Sequence, residues 1–497
     1  MSLANQLKNQ HLLWRAGFGP AVEQLGDLAD FSPQQFYKAL VKASDKKPGY
    51  INVADNYLQG LMMGIDQVGR VQQKELSTEE KKKRQQKNRD GVRNLNLYWL
   101  NEMVNSSAQL REKMAFFWHG HFACRNLNVF YQQDLLDIIR RNAVGNFGTL
   151  LKEVSQSAAM LNFLNNQQNK KGHPNENFAR EVMELFTLGR GHYTEQDIKE
   201  AARAFTGWAA NAKGDFIFRR GQHDYGNKTV LGQTGDFEGD DVLDILLEQK
   251  QTAKFISKKI YQFFVNDQPD MEKIEWMAER FYKSDYDISK LMEDVFTSDW
   301  FYDEKNIGTK IKSPVELLAG IQRMLPMTLE NAESLIVLQR LLGQMLFYPP
   351  NVAGWPGGKT WIDSSTLMMR MRIPQLINDE DEMNVNPKDD DDQMMGRPTA
   401  EPGMNDSPVL MKPKAMNKKA GKGAKPINAD LDWKLYVSHF ENTKREELIN
   451  NIAGILLQTK TAVRADIIKG YSDESGRESF IKSATIQIMS TPEYQLC

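Results

Sequence analysis

Cysteine is nearly absent from this chain. Only Cys124 and Cys497 occur, which excludes a disulfide framework and any cysteine-based zinc site. Long apolar runs are missing too: no window approaches the roughly 18 apolar residues of a membrane-spanning helix. The opening MSLANQLKNQHLLWRAGFGP has no apolar h-region and no small-residue cleavage site, so no secretory signal is expected there and the expected location is the cytoplasm. Neither sign of charge prevails, with 63 Lys+Arg against 65 Asp+Glu. No global field therefore draws the chain to nucleic acid or to a membrane surface, and no nucleic-acid partner is expected. GxSxG, HExxH, Walker and helix-opening GxGxxG motifs are also lacking. That disfavours a serine hydrolase, a zincin and a Rossmann dehydrogenase.

What is present is ordinary globular material in quantity. The chain has 497 residues, 41% hydrophobic and 26% charged, enough to bury a large core. Apolar residues recur at helical spacing almost throughout, which predicts an all-α fold. It reads as one large, irregular multi-helical domain with at most a short β-hairpin near 215–237. Ser32 followed by Pro33 marks a helix start. A long helical stretch is expected over about 52–107, broken near Gly91, and its basic run at 81–89 lacks interleaved aromatics and reads as a solvated face. Residues 110–124 (LREKMAFFWHGHFAC) are apolar almost all round, the mark of a buried helix. Residues 379–430 pass from acidic to basic with proline, glycine and few aliphatics, which predicts a disordered low-complexity insertion. It separates a main helical domain, 1–378, from a helical segment, 431–497, that packs on or completes that domain.

The block from His173 to Trp208 carries the first sign of chemistry. At roughly 100° per residue, Glu181 falls inside the apolar arc of its helix, between Leu188 and Leu185, with Glu184 at the edge. Two carboxylates at i and i+3 can converge on a metal or share a proton. A buried pair between Glu181 and Arg203 of the next helix is the structural alternative. His119 and His121 in WHGHF point to opposite sides of a helix and would share a face only in an extended segment. His223, beside Asp224, lies in a glycine-rich loop, where functional residues tend to sit. Residues 346–363 (LFYPPNVAGWPGGKTWID) form a stiff loop in which Tyr348, Trp355 and Trp361 offer flat surfaces for stacking.

The strings LLWRAGFGP, REKMAFFWHGHFA, NENFAREVMELFTLGRGHYTEQDIKEAARAFTGW, HDYGNKTVLGQTGDFEGDDVLDILL, KSPVELLAG and YPPNVAGWPGGKTWID resemble the bacterial family of unknown function DUF1800. Together they cover nearly the whole chain except the insertion. The resemblance names relatives without supplying a reaction. It implies kinship with proteins that are often exported, and a partner from a neighbouring gene of the sulfatase-like family DUF1501. It also implies that many relatives carry histidine where this chain has Phe186.

Two functional readings follow. In the first, the chain is a metal-dependent enzyme with Glu181 and Glu184 as catalytic carboxylates. His119, His121, His223 and Glu181 would hold a divalent transition metal, and Tyr348, Trp355 and Trp361 would form a substrate wall. In the second, it is a non-catalytic interaction or secretion-associated accessory protein whose buried polar groups are structural.

Overall fold

In the computed structural model the described residues are 2–67, 77–378 and 429–497. Among them are 22 α-helices and three two-stranded antiparallel sheets, so the fold is all-α with small hairpins. The hairpin expected near 215–237 is two: Trp208–Ala210 pairs with Phe216–Phe218, and Lys228–Val230 with Gln233–Gly235. A third pair, Met327–Leu329 with Ala429–Leu431, joins chain from either side of the insertion. The insertion itself lies outside the described residues, except for Ala429 and Asp430 in that last strand.

Local sequence sets the helix boundaries. Ser32 caps Pro33–Ser44 through the Gln35 N–H, and Thr194 with Asp197 forms the reciprocal capping box of Glu195–Ala204. The stretch expected over 52–107 is two helices, Asn56–Gln67 and Thr78–Asn105. Gly91 does not break the second one. A Cβ there would meet Val129 Cγ2 at 2.9 Å, so this glycine permits close packing with the Val129–Asn142 helix instead. Residues 81–86 of the basic run are exposed, and Lys87 pairs with Asp55 at 3.0 Å.

The Gln109–His121 helix runs through the centre, packed by Pro33–Ser44, Thr78–Asn105 and Val129–Asn142. Its sequence buries three charges as well as its apolar residues: Arg111, Glu112 and Lys113 are all inside. Each has a partner, as burial demands. Glu112 receives Arg140 Nε at 2.9 Å, Arg111 Nε at 3.1 Å and Trp99 Nε1 at 3.0 Å. Lys113 is bound to Glu316 of the Pro314–Met324 helix. Residues 429–497 join the same apolar core through Tyr436, Ile452, Ile481 and Tyr494. Backbone bonds between Lys310 and Cys497 (3.1 and 2.8 Å) tie the last residues to the centre. Cys124 and Cys497 are separate buried thiols. Among the described residues no helix is long and apolar enough to cross a membrane.

Candidate functional site

The central helix ends at His121, whose ring meets the end of the His173–Trp208 block's first helix. That helix is α-helical over Glu176–Glu181 and then widens into a π-helical turn, Val182–Thr187. Widening shows in the Leu188 N–H bond to Met183 O at 2.9 Å, five residues back. Carbonyls at a helix end need outside donors. Here His121 Nε2 donates to Phe186 O at 3.2 Å and Lys259 Nζ to Leu185 O at 3.1 Å. A carbonyl can only accept, so Nε2 carries the ring proton and Nδ1 keeps a lone pair. That lone pair faces Lys259 Nζ at 3.1 Å.

Burial, then the neighbouring Lys259 charge, hold the His121 imidazole well below its ordinary value, so it stays neutral. Burial pushes the Lys259 ammonium down to about 8. Lys259 lies on the Lys250–Phe264 helix with its chain against the Phe255 ring, 4.7 Å from Nζ to centroid.

These two side chains form one wall of a cavity of about 530 Å³. Trp355 and Trp361 line another part, and Lys310 and Glu316 a third. Glu316 is committed already. It accepts from Lys113 and from Lys310 Nζ at 3.1 Å, and its second oxygen takes the Ser313 N–H at 2.8 Å. Burial opposes its charge, but the two lysines and the hydrogen bonds outweigh that and keep its carboxyl below the usual range. The aromatic loop reaches the cavity because two glycines meet. Gly354 has φ +81°, and a Cβ on it would lie 2.5 Å from Gly120 O.

The residues expected to act together are therefore divided. His121, Trp355 and Trp361 share the cavity. His119 stands behind the loop, its ring 5.6 Å from that of Trp355, and its Nε2 accepts the Phe347 N–H at 3.2 Å. Burial pushes it down to about 3. Tyr348 packs on Arg125, 5.2 Å from guanidinium to ring, and does not line the cavity. His223 is buried with Nδ1 2.9 Å from Thr206 O, between the Phe218 and Tyr225 rings. Glu184 accepts from Tyr193 and pairs with Arg190 at 2.6 Å, and these two hold it below its ordinary value.

Glu181 is half-buried, with neither a hydrogen bond nor an ion pair within 4 Å among the described residues. Burial and then the Glu184 charge raise its carboxyl. Arg203, the partner proposed for it, instead holds Asp224 at 2.8 Å and Glu200 at 2.8 Å. Among the described residues no three His, Cys, Asp or Glu side chains gather as a metal-ligand set.

Lys259, Lys310 and Glu316 were absent from the residues that motif reading selects. Lys259 left a signal: it stands between Phe255 and Phe263 at i−4 and i+4, a lysine in an aromatic stripe. Glu316 left one as well, the Ser313-x-x-Glu316 capping box with Pro314 at its start.

This chain belongs to the family described as Protein of unknown function (DUF1800), whose profile matches residues 11–496. No curated protein and no solved structure matches it.

Proposed function

We propose that this protein binds a small, unsaturated anionic molecule in the cavity between His121, Lys259, Trp355 and Trp361. One observation carries the reading. Lys259 is a cavity-lining ammonium with no carboxylate partner among the described residues, and its two hydrogen bonds go to neutral acceptors. An ammonium has three donors, so one is left for a ligand. The lining as a whole leans the same way: Lys259, Lys310 and Lys359 face Asp267 and the already committed Glu316. The two indoles supply flat apolar surface for the unsaturated part. A volume of about 530 Å³ suits a small molecule.

The test is calorimetric titration of the full chain with benzoate and phenylphosphonate, with tryptophan fluorescence read in parallel. Saturable heat and quenching are expected, lost in Lys259→Met and weakened in Trp355→Leu, with circular dichroism unchanged. A wild type that shows only heats of dilution across such anions would sink the reading.

The metal-dependent reading retains one supporting observation, the unpartnered Glu181 carboxylate beside Glu184. Against it, His119 and His121 spend ring nitrogens on Phe347 N–H, Phe186 O and Lys259. Metal analysis of the untagged protein after incubation with divalent transition metals, repeated with Glu181→Ala and His121→Ala, decides it. Stoichiometric metal lost in both folded variants supports that reading, and substoichiometric wild-type metal removes it.

A further inference from the structure

Three lysines of this region are placed for different work. Lys113 and Lys310 are both ion-paired with Glu316. Lys259 has no such counter-charge, and its neighbours are a carbonyl oxygen and the Nδ1 lone pair of a neutral imidazole. Burial without a counter-charge favours its neutral form. An amine with no counter-charge, held by neutral acceptors on a cavity wall, is what nucleophilic amine chemistry requires.

We propose that Lys259 captures a small aldehyde or ketone carrying an anionic group, such as a 2-oxo carboxylate, as an imine. This inference rests on the ligand reading above and adds the chemical class of the ligand. In the step, the Nζ lone pair attacks the carbonyl carbon, a C–N bond forms, and the C=O π pair moves to oxygen. The proton that Nζ loses passes through solvent to the new alkoxide, giving a neutral carbinolamine, while His121 Nδ1 holds the remaining N–H. A solvent proton lets the hydroxyl group leave as water while the nitrogen lone pair forms C=N, and the protonated imine returns that proton to solvent. One water is released, and no oxidant or reductant takes part. His121 is a positioning residue in this scheme. Its Nε2–H is anchored on Phe186 O, which fixes the tautomer that accepts from Lys259. Lys359, exposed and lining the same cavity, is the cation available to the ligand's anionic group.

The experiment uses the full chain with glyoxylate and sodium cyanoborohydride, which reduces an imine to a stable secondary amine, and acetaldehyde as the uncharged comparison. Intact mass and peptide mapping are the readouts. The exposed neighbour Lys258 is an internal control, because both lysines share one helix and one reaction tube. The expected result is a single adduct on Lys259, formed several-fold faster with glyoxylate than with acetaldehyde. Its rate should rise with pH to a plateau with a midpoint near that of Lys259, and Lys259→Arg should abolish it. Labelling spread over exposed lysines, or Lys258 labelled as fast as Lys259, would overturn the proposal. Benzoate quenching of the tryptophans with Lys259 unlabelled overturns the imine and spares the binding site. Loss of both quenching and label overturns both readings. If Lys259→Arg fails to fold, the Lys258 to Lys259 ratio in the wild type decides alone.

Discussion

His121 and Lys259 meet with 3.1 Å between Nδ1 and Nζ, and the imidazole proton on the far side is held by Phe186 O. The pair costs stability in a pH-dependent way. Lys259 titrates at about 8 in the fold against 10.5 for an ordinary lysine, so between these values the unfolded chain binds more protons. Stability from this group therefore rises as pH climbs from 8 toward 10.5 and is level below 8. Lys113, about 8, and Lys312, about 7, act with the same sign, their values lowered first by burial. Urea unfolding of wild type and Lys259→Met at pH 7, 8.5 and 10 isolates the Lys259 share. The wild type should gain on the variant as pH rises, and a constant difference would remove the proposed titration.

Gly354 and Gly120 give a paired test of how the aromatic loop is seated. A Cβ at Gly354 collides with Gly120 O and also sits at φ +81°, whereas a Cβ at Gly120 meets nothing within 4 Å. Gly354→Ala should cost more than about 1 kcal/mol and lift Trp355 off the cavity. Gly120→Ala should stay within about 1 kcal/mol of wild type, on the stabilising side, because alanine suits a helix better than glycine. Chemical denaturation measures both, and equal losses would refute the close approach.

Much of the fold was legible because helical periodicity records burial directly. The buried Leu110–Cys124 segment and the Ser32 and Thr194 caps are local facts. The third sheet was not legible, since Met327–Leu329 and Ala429–Leu431 are far apart in sequence and too short to show alternation. Gly91 was misread because a helix-breaking glycine and a close-packing glycine look alike until Val129 is seen beside it. At the site, type of side chain pointed to histidines and carboxylates, and spatial pairing then divided them. Lys259 was hidden because an unpaired lysine is recognised only once its surroundings show no carboxylate. The π-helical turn was equally hidden, and it shifts the register on which the placement of Glu181 and Glu184 depended.

His119 is expected to act through the backbone. Its Nε2 takes the buried N–H of Phe347, a non-glycine residue at φ 67°, and its ring lies 5.1 Å from that of Trp99. Replacing it with alanine leaves that N–H without a partner and opens a gap. The expected loss is about 1–3 kcal/mol for the unsatisfied donor, with the cavity cost added. Urea midpoints at pH 7 provide the check. His119→Ala protein as stable as wild type would show that the loop does not depend on this bond.

Glu181 gives the sharpest separation between a structural carboxylate and a metal ligand. Burial and the Glu184 charge raise its carboxyl above the ordinary value, so the protonated form is the one the fold prefers. A raised folded value means that its favourable share is fully present below the unfolded value, near 4.5, and is lost as pH rises through the folded one. Glu181→Gln mimics the protonated state at every pH. The variant should thus gain stability relative to wild type as pH goes from 4 to 7, seen as a thermal midpoint difference that grows over that span. If Glu181 were a metal ligand, added divalent metal would reverse the order at pH 7, with the wild type gaining stability and Glu181→Gln gaining none. Thermal unfolding of both proteins at pH 4 and 7, with and without metal, gives opposite signs for the two roles.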